Sequence, residues 1–381
     1  MKIAIMTQPL GHNYGGMIQA WALQQVLKNA GHDPVTIDRQ ADPKGTAYHA
    51  ARLGYRTLQK ALGKRKGPIK FERHFPYILQ NTQAFIEQHL SMSERLDSTA
   101  KLKAYFEREQ YDAVIVGSDQ TWRPSYSPNI ENFFLDFLQC SDIKRIAYAS
   151  SFGIEEWEFT EEQTRRCAPL AKQFDAISVR ESSGVDLCRK YLGVDASHVL
   201  DPTLLVERQT YETLYNKKDL PARQGIYTYI LDQAEWKDQV VETVKQVLNK
   251  QQFSNQPAET DLAKLSKETL HDFVMPSLEG WIKGFAEADF VITDSFHGTV
   301  FSIIFNKPFL VVGNNARGLS RFESLLDIFG LSERLVTKSG AGVGDVIAKD
   351  TEWKRVNAKL LALRGTSMSF LRKWTEVCEA C

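Results

Sequence analysis

Residues 288–312 read ADFVITDSFHGTVFSIIFNKPFLVV. A short apolar run, Phe290-Val291-Ile292, breaks into the polar turn Thr293-Asp294-Ser295-Phe296-His297-Gly298-Thr299. An apolar helical pattern follows to Asn306-Lys307-Pro308, and Phe309–Val312 closes the unit. This is strand, turn, helix, strand, a βαβ unit with its turn at the carboxyl end of the first strand. Ligands of open α/β sheets bind at that end. A titratable His at the mouth of a helix suits proton transfer.

The same figure recurs along the chain. Lys2–Met6 reads as a first strand, Gly11–Gly16 as a turn, Met17–Asn29 as a helix and Val35–Asp38 as a second strand. Residues 40–110 read as mostly helical. Asp112–Val116, Arg145–Ala149, Ala176–Val179 and His198–Leu200 are further strands, each ending in a turn rich in Ser, Asp and Gly or in Asp201-Pro202-Thr203. Glu207–Arg223 reads as a linker. A second series then begins: strand Gly225–Leu231, a helix near 236–249, short strands near Gln252–Ser254 and Phe273–Met275, and a helix at Leu278–Glu287 before the opening unit. Leu319–Phe329 and Glu352–Val377 are the last helices. The expected organisation is α/β: an N-terminal domain over 1–206, a linker over 207–223, a C-terminal domain over 224–340 and a helical tail over 341–381 that returns to the first domain. Two Rossmann-like parallel-sheet domains facing a cleft resemble the GT-B architecture of many glycosyltransferases.

Composition excludes several classes. Lys+Arg and Asp+Glu are 47 each over 381 residues, which argues against a nucleic-acid binder. The five cysteines, at 140, 167, 188, 378 and 381, have no framework spacing and suit a reducing cytosol. Cys378 and Cys381 read as a frayed tail rather than a zinc site. The first residues read as a strand rather than a signal peptide, and no apolar run approaches the ~18 residues of a membrane span. G-x-G-x-x-G, Walker, H-E-x-x-H and G-x-S-x-G motifs are absent, and nothing calls for a metal or organic cofactor.

Several residues stand out. His297 is either a helix-capping imidazole or a general acid or base, with Asp294 and Ser295 beside it. Arg180 ends a parallel strand; its planar fork suits a carboxylate or phosphate, the alternative being an ion pair with Glu181. Gly15 and Gly16 let a ligand approach the helix N-terminus, with Asn13 and Tyr14 as contacts to sugar or phosphate. Ser118, Asp119, Gln120 and Trp122 in one post-strand loop suit a carbohydrate, with polar groups for hydroxyls and an indole face for the ring. Arg317 and Arg321 offer a second cation. Residues 51–73 carry Arg52, Arg56, Lys60, Lys64, Arg65, Lys66, Lys70 and Arg73 against one acid, Glu72, with Leu53, Tyr55, Leu58 and Leu62 interleaved. That run is either a solvated helix face or a contact with anionic lipid or a lipid-linked diphosphate acceptor.

Six ordered stretches together resemble the polysaccharide pyruvyl transferase family: NYGGMIQAWAL at 13–23, VGSDQTW at 116–122, YASSFG at 148–153, ISVRE at 177–181, VLDPTLL at 199–205 and ITDSFHGT at 292–299. The resemblance implies a GT-B-like fold and transfer of a pyruvyl group from phosphoenolpyruvate to a sugar of a polysaccharide or its lipid-linked precursor, forming a ketal, in the cytoplasm or at the inner face of the membrane. It implies functional roles for His297 and Arg180; Asp119 would activate an acceptor hydroxyl, and Gly298 and Thr299 belong to the same turn as His297. The alternatives are a nucleotide-sugar glycosyltransferase, a sugar-binding relative without turnover, and an assembly scaffold. The sequence is silent on the acceptor sugar and on oligomeric state.

Overall fold

A computed structural model describes residues 1–138, 141–313, 318–337 and 342–375. Two parallel sheets organise it. The first holds β1 (Lys2–Met6), β2 (Asp33–Arg39), β3 (Met92–Leu96), β4 (Ala113–Val116), β5 (Lys144–Ser150), β6 (Ala176–Val179) and β7 (Ser197–His198), in the order β3-β2-β1-β4-β5-β6-β7. The second holds β8 (Ile226–Tyr229), β9 (Gln252–Phe253), β10 (Phe290–Thr293), β11 (Phe309–Val312) and β12 (Leu335–Val336), in the order β12-β11-β10-β8-β9. The central strands are covered on both faces, which is why β1, β4, β10 and β11 are near-continuous apolar runs. Strand order reverses between β1 and β4 in one sheet and between β8 and β10 in the other. The crevices outside the carboxyl ends of those pairs are where open α/β sheets take ligands.

The two sheets share a core. One apolar cluster runs from Ile3, Met17 and Trp21 of the first domain to Tyr227, Trp281 and Phe301 of the second. Polar contacts cross as well: Tyr14 Oη donates to Pro276 O at 2.6 Å, Asn81 Nδ2 to Met275 O at 2.8 Å, and Ser182 N to Ser324 Oγ at 3.0 Å. The helix Trp353–Thr375 lies on the first domain, where Ser367 Oγ accepts from Leu200 N at 3.0 Å and Arg364 donates to Leu204 O and Val206 O.

Four local readings are corrected. The first helix spans Tyr14–Asn29, so Gly15 and Gly16 sit in its first turn. Residues 92–96 form β3, an edge strand whose Ser93, Glu94 and Arg95 hide the apolar signal. The strand expected at Phe273–Met275 is absent; a 3₁₀ turn, Leu270–Phe273, precedes it. The polar stretch 207–223 contains the helix Arg208–Tyr215, and its Tyr211 is fully buried. The Tyr211 ring lies 5.4 Å from Trp21 and 4.9 Å from Phe301, and its hydroxyl donates to Thr203 O at 2.8 Å. It therefore ties both domains together. Tyr211→Ala is expected to cost about 3–5 kcal/mol in urea unfolding; a loss below ~1 kcal/mol would mean that this contact does not hold the shared core.

Candidate active site

The site is assembled around Asp201, the residue after the β7 turn. Its carboxylate is fully buried. Oδ1 accepts from Thr203 N at 3.0 Å and Thr203 Oγ1 at 2.6 Å, capping the short helix Pro202–Leu205. Oδ2 accepts from Ser118 Oγ at 2.9 Å and Arg180 Nη1 at 2.9 Å. His297 Nε2, from the second domain, stands 3.6 Å from the same oxygen, just beyond hydrogen-bond length. Burial opposes the carboxylate charge, but His297, Arg180 and the Thr203 hydroxyl hold the Asp201 carboxyl well below the usual range. Asp201 thus links three other loops and both domains through its carboxylate.

His297 occupies the first turn of the helix Phe296–Ile304, whose N-cap Ser295 accepts from Gly298 N at 3.4 Å. Its ring rests against the first turn of Tyr14–Asn29: a Cβ on Gly15 would collide with His297 Nδ1. Gly15 is therefore required by the close approach of two helix N-termini from different domains. Both ends direct backbone N–H groups and positive dipole ends into the same crevice. Nε2 is buried without a hydrogen-bond partner among the described residues.

Arg180 leaves β6 and crosses the interface, its guanidinium 4.4 Å over the Phe296 ring. Nη1 is taken by Asp201; Nη2 has only a 3.6 Å contact with Asp119 Oδ1, and Nε has no hydrogen-bond partner among the described residues. Glu181 turns elsewhere, accepting from Phe152 N at 2.7 Å, so the pairing considered for Arg180 falls to Asp201 and Asp119 instead. Arg321 is buried close by. Burial and the Arg180 charge push its guanidinium down to about 10. Asp119, with φ 76°, projects beneath Gly16, where a Cβ would lie 3.6 Å from Oδ2 and 3.7 Å from Asn13. A left-handed Asp is tolerated locally but is uncommon, and such conformations gather at ligand sites. A buried network holds this loop: Gln19 Nε2 donates to Thr7 Oγ1 at 2.8 Å, Thr7 Oγ1 to Ser118 O at 3.0 Å, and Ser118 N to Gln19 Oε1 at 3.1 Å.

The family model for polysaccharide pyruvyl transferase matches residues 13–316. The chain belongs to this family. No curated protein gives a significant match. Among solved structures, UDP-GlcNAc 2-epimerase from Neisseria meningitidis bound to UDP-GlcNAc is 9% identical with a TM-score of 0.51, over 98% of this chain and 99% of that one. Apo UGT2 of Phytolacca americana is 8% identical with a TM-score of 0.51, over 99% of this chain and 100% of that one. At such identities the likeness speaks to the fold alone: this pyruvyl transferase family member has the two-domain GT-B-like architecture.

Of the residues singled out by sequence, the fold brings Asn13, Gly15, Gly16, Ser118, Asp119, Arg180, His297 and Arg321 to one crevice. Others serve the scaffold. Trp122 is fully buried, stacked 5.0 Å from Phe134 with its indole N–H on Phe133 O, so its flat face is not open to a sugar. Tyr14 is buried at the interdomain contact, packed on Trp281 and Tyr229. Gln120 lies over Gly153 and accepts from Arg123 Nη1 at 3.0 Å. Asp294 is saturated inside the second domain, accepting from Leu231 N, Asp232 N and Lys237 Nζ at 2.7, 3.0 and 2.6 Å. Gly298 is needed for helix–strand packing, since a Cβ there would strike Thr293 Oγ1, and Thr299 Oγ1 donates to Ser295 O. Arg317 lies outside the described residues, as do Cys378 and Cys381. No group of three or more His, Cys, Asp and Glu suited to a metal occurs among the described residues.

Sequence reading passed over Asp201 and Gln19 as site residues, although both lie in the family-like stretches. The available signal for Asp201 was its place directly after a strand, in the same figure that exposes Asp119 and His297. Asp201→Asn would leave Arg180 without its buried counter-charge and is expected to destabilise the protein by about 3 kcal/mol at neutral pH. A depressed carboxyl stabilises above its unfolded pKa and loses that contribution as pH falls toward the folded value. The gap between native protein and variant should therefore hold above pH ~4 and narrow below it. A gap independent of pH in chemical denaturation would contradict the electrostatic role of Asp201.

Proposed function

We propose that the chain transfers the enolpyruvyl carbons of phosphoenolpyruvate to two hydroxyls of a sugar in a polysaccharide or its lipid-linked precursor, giving a cyclic pyruvyl ketal. The observation that carries this reading is the cationic pair Arg180 and Arg321, buried together near Asp119, with Arg180 Nε and Nη2 lacking a hydrogen-bond partner among the described residues. Phosphoenolpyruvate presents a carboxylate and a phosphate on adjacent positions, and a guanidinium fork with two helix N-termini matches that dianionic pattern.

In this reading Arg180 and Arg321 bind the donor anions, with Gly15 and Gly16 allowing close approach. His297 protonates the methylene carbon, which becomes the methyl group. One acceptor hydroxyl attacks the adjacent carbon, phosphate departs with its bonding pair, and the second hydroxyl closes the ketal. Asp119 accepts the proton of one hydroxyl, which leaves with the phosphate, and the proton of the other hydroxyl returns to His297. Asp201 stays ionised and orients Arg180 and His297, held in turn by Ser118; Asn13 lines the acceptor side. No organic cofactor is called for.

The test is acceptor-dependent phosphate release from phosphoenolpyruvate, with pyruvylated product identified by mass. His297→Ala is expected to lower kcat by roughly 10²–10⁴-fold with folding retained. Arg180→Lys should raise the donor KM, because a point charge cannot replace a fork. Near-normal turnover in the first variant, or an unchanged donor KM in the second, would sink these assignments. Transfer from a nucleotide sugar with no use of phosphoenolpyruvate would replace the reaction itself.

A further inference from the structure

The helix Thr46–Ala61 is turned inside out. No residue in it is buried. The side bearing His49, Arg52, Leu53 and Arg56 lines the gap toward Ile69 and Glu72. Arg52 and Arg56 both pair with Glu72 at 2.8 Å, Arg56 also donates to Ile69 O at 2.9 Å, and its guanidinium lies 5.4 Å over the Phe71 ring. The opposite stripe, Tyr48, Tyr55, Leu58 and Leu62, is 51%, 64%, 57% and 58% exposed. These positions fall on one helical face by their spacing. A soluble helix ordinarily packs such a face on its own core.

Charge identifies what would cover that face. The chain as a whole is neutral, yet residues 44–73 contain nine Lys and Arg and one acid, Glu72. With Glu72 committed to Arg52 and Arg56, the exposed Lys60, Lys64 and Lys66 have no acidic partner among the described residues. Tyr and Leu side chains followed by unpaired lysines at the end of the helix and in the turn after it match an anionic bilayer surface, where the apolar stripe enters the head-group boundary and the lysines meet lipid charge. A second copy of the same basic surface would meet repulsion instead.

Placement adds to this. The segment starts at the carboxyl end of β2, the end of the sheet that also carries the site loops after β1 and β4. It reaches the second domain, where a Cβ on Gly67 would lie 3.0 Å from Leu262 O and Met275 N donates to Ile78 O at 2.8 Å. The apolar stripe therefore belongs to the end of the molecule on which the crevice opens.

We infer that helix 46–61 and the basic turn after it dock the protein peripherally on an anionic membrane surface. No helix among the described residues is long and apolar enough to cross a membrane, so the attachment is interfacial. This inference does not depend on the proposed reaction. The test is co-sedimentation of the full chain with vesicles of phosphatidylcholine alone and of equal parts phosphatidylcholine and phosphatidylglycerol. Binding is expected to the anionic vesicles, falling as salt rises. Tyr55→Ser/Leu58→Ser and, separately, Lys60→Glu/Lys64→Glu/Lys66→Glu should each weaken it at least ~10-fold, with circular dichroism unchanged because these side chains are exposed. The inference is overturned if the native chain ignores anionic vesicles or if both variants bind as it does. It is equally overturned if sedimentation velocity shows a dimer that Tyr55→Ser/Leu58→Ser dissociates, since a second copy would then own the face.

Discussion

A single buried carboxylate, Asp201, organises the space between the two sheets. It would be costly there alone, because a desolvated charge must be matched by partners of good geometry. Arg180, Ser118, Thr203 and His297 supply the match, and they arrive from four loops of two domains. The arrangement fixes more than stability. Holding one edge of Arg180 leaves Nε and Nη2 on the other edge buried without a hydrogen-bond partner among the described residues. Holding the His297 ring against Gly15 sets the distance between two helix N-termini. The contacts that join the domains are thus the ones on which the proposed anion site rests.

The location follows from topology. In each sheet the order of strands reverses once, and the loops leaving those strands open a crevice between them. Short, apolar, fully covered strands put the polar turns after β1, β4, β6, β7 and β10 at the carboxyl ends of the two sheets. A shared core lies under the helices Tyr14–Asn29 and Phe296–Ile304, and hydrogen bonds at Tyr14 and Ser182 also join the two domains.

Much of this was legible in the chain. Period and punctuation revealed the parallel sheets because central strands such as AVIV at 113–116 are apolar without interruption. Edge strands escaped: MSERL at 92–96 exposes Glu94 and Arg95 and buries only Leu96, so its composition resembles a loop. His297 and Arg180 stood out because a charged or titratable group straight after an apolar strand has few structural uses, and the fold brings both to Asp201. Trp122 and Tyr14 misled, since an aromatic residue in a polar turn reads the same whether it meets a ligand or another domain. Which of the two applies depends on Phe134 and Pro276, residues that sequence distance hides. Asp201 was missed for a related reason. Apart from neighbouring Thr203, its partners come from three distant places in the chain, and only folding puts its charge beside theirs.

The most direct measurement is a structure of the protein determined with phosphoenolpyruvate bound. The expected result places the donor's anionic groups on the open edge of Arg180 and on Arg321, with its methylene carbon toward His297 Nε2. Donor bound away from both arginines, or a crevice that admits a nucleotide sugar while excluding phosphoenolpyruvate, would contradict the proposed chemistry and leave only the fold and the family standing.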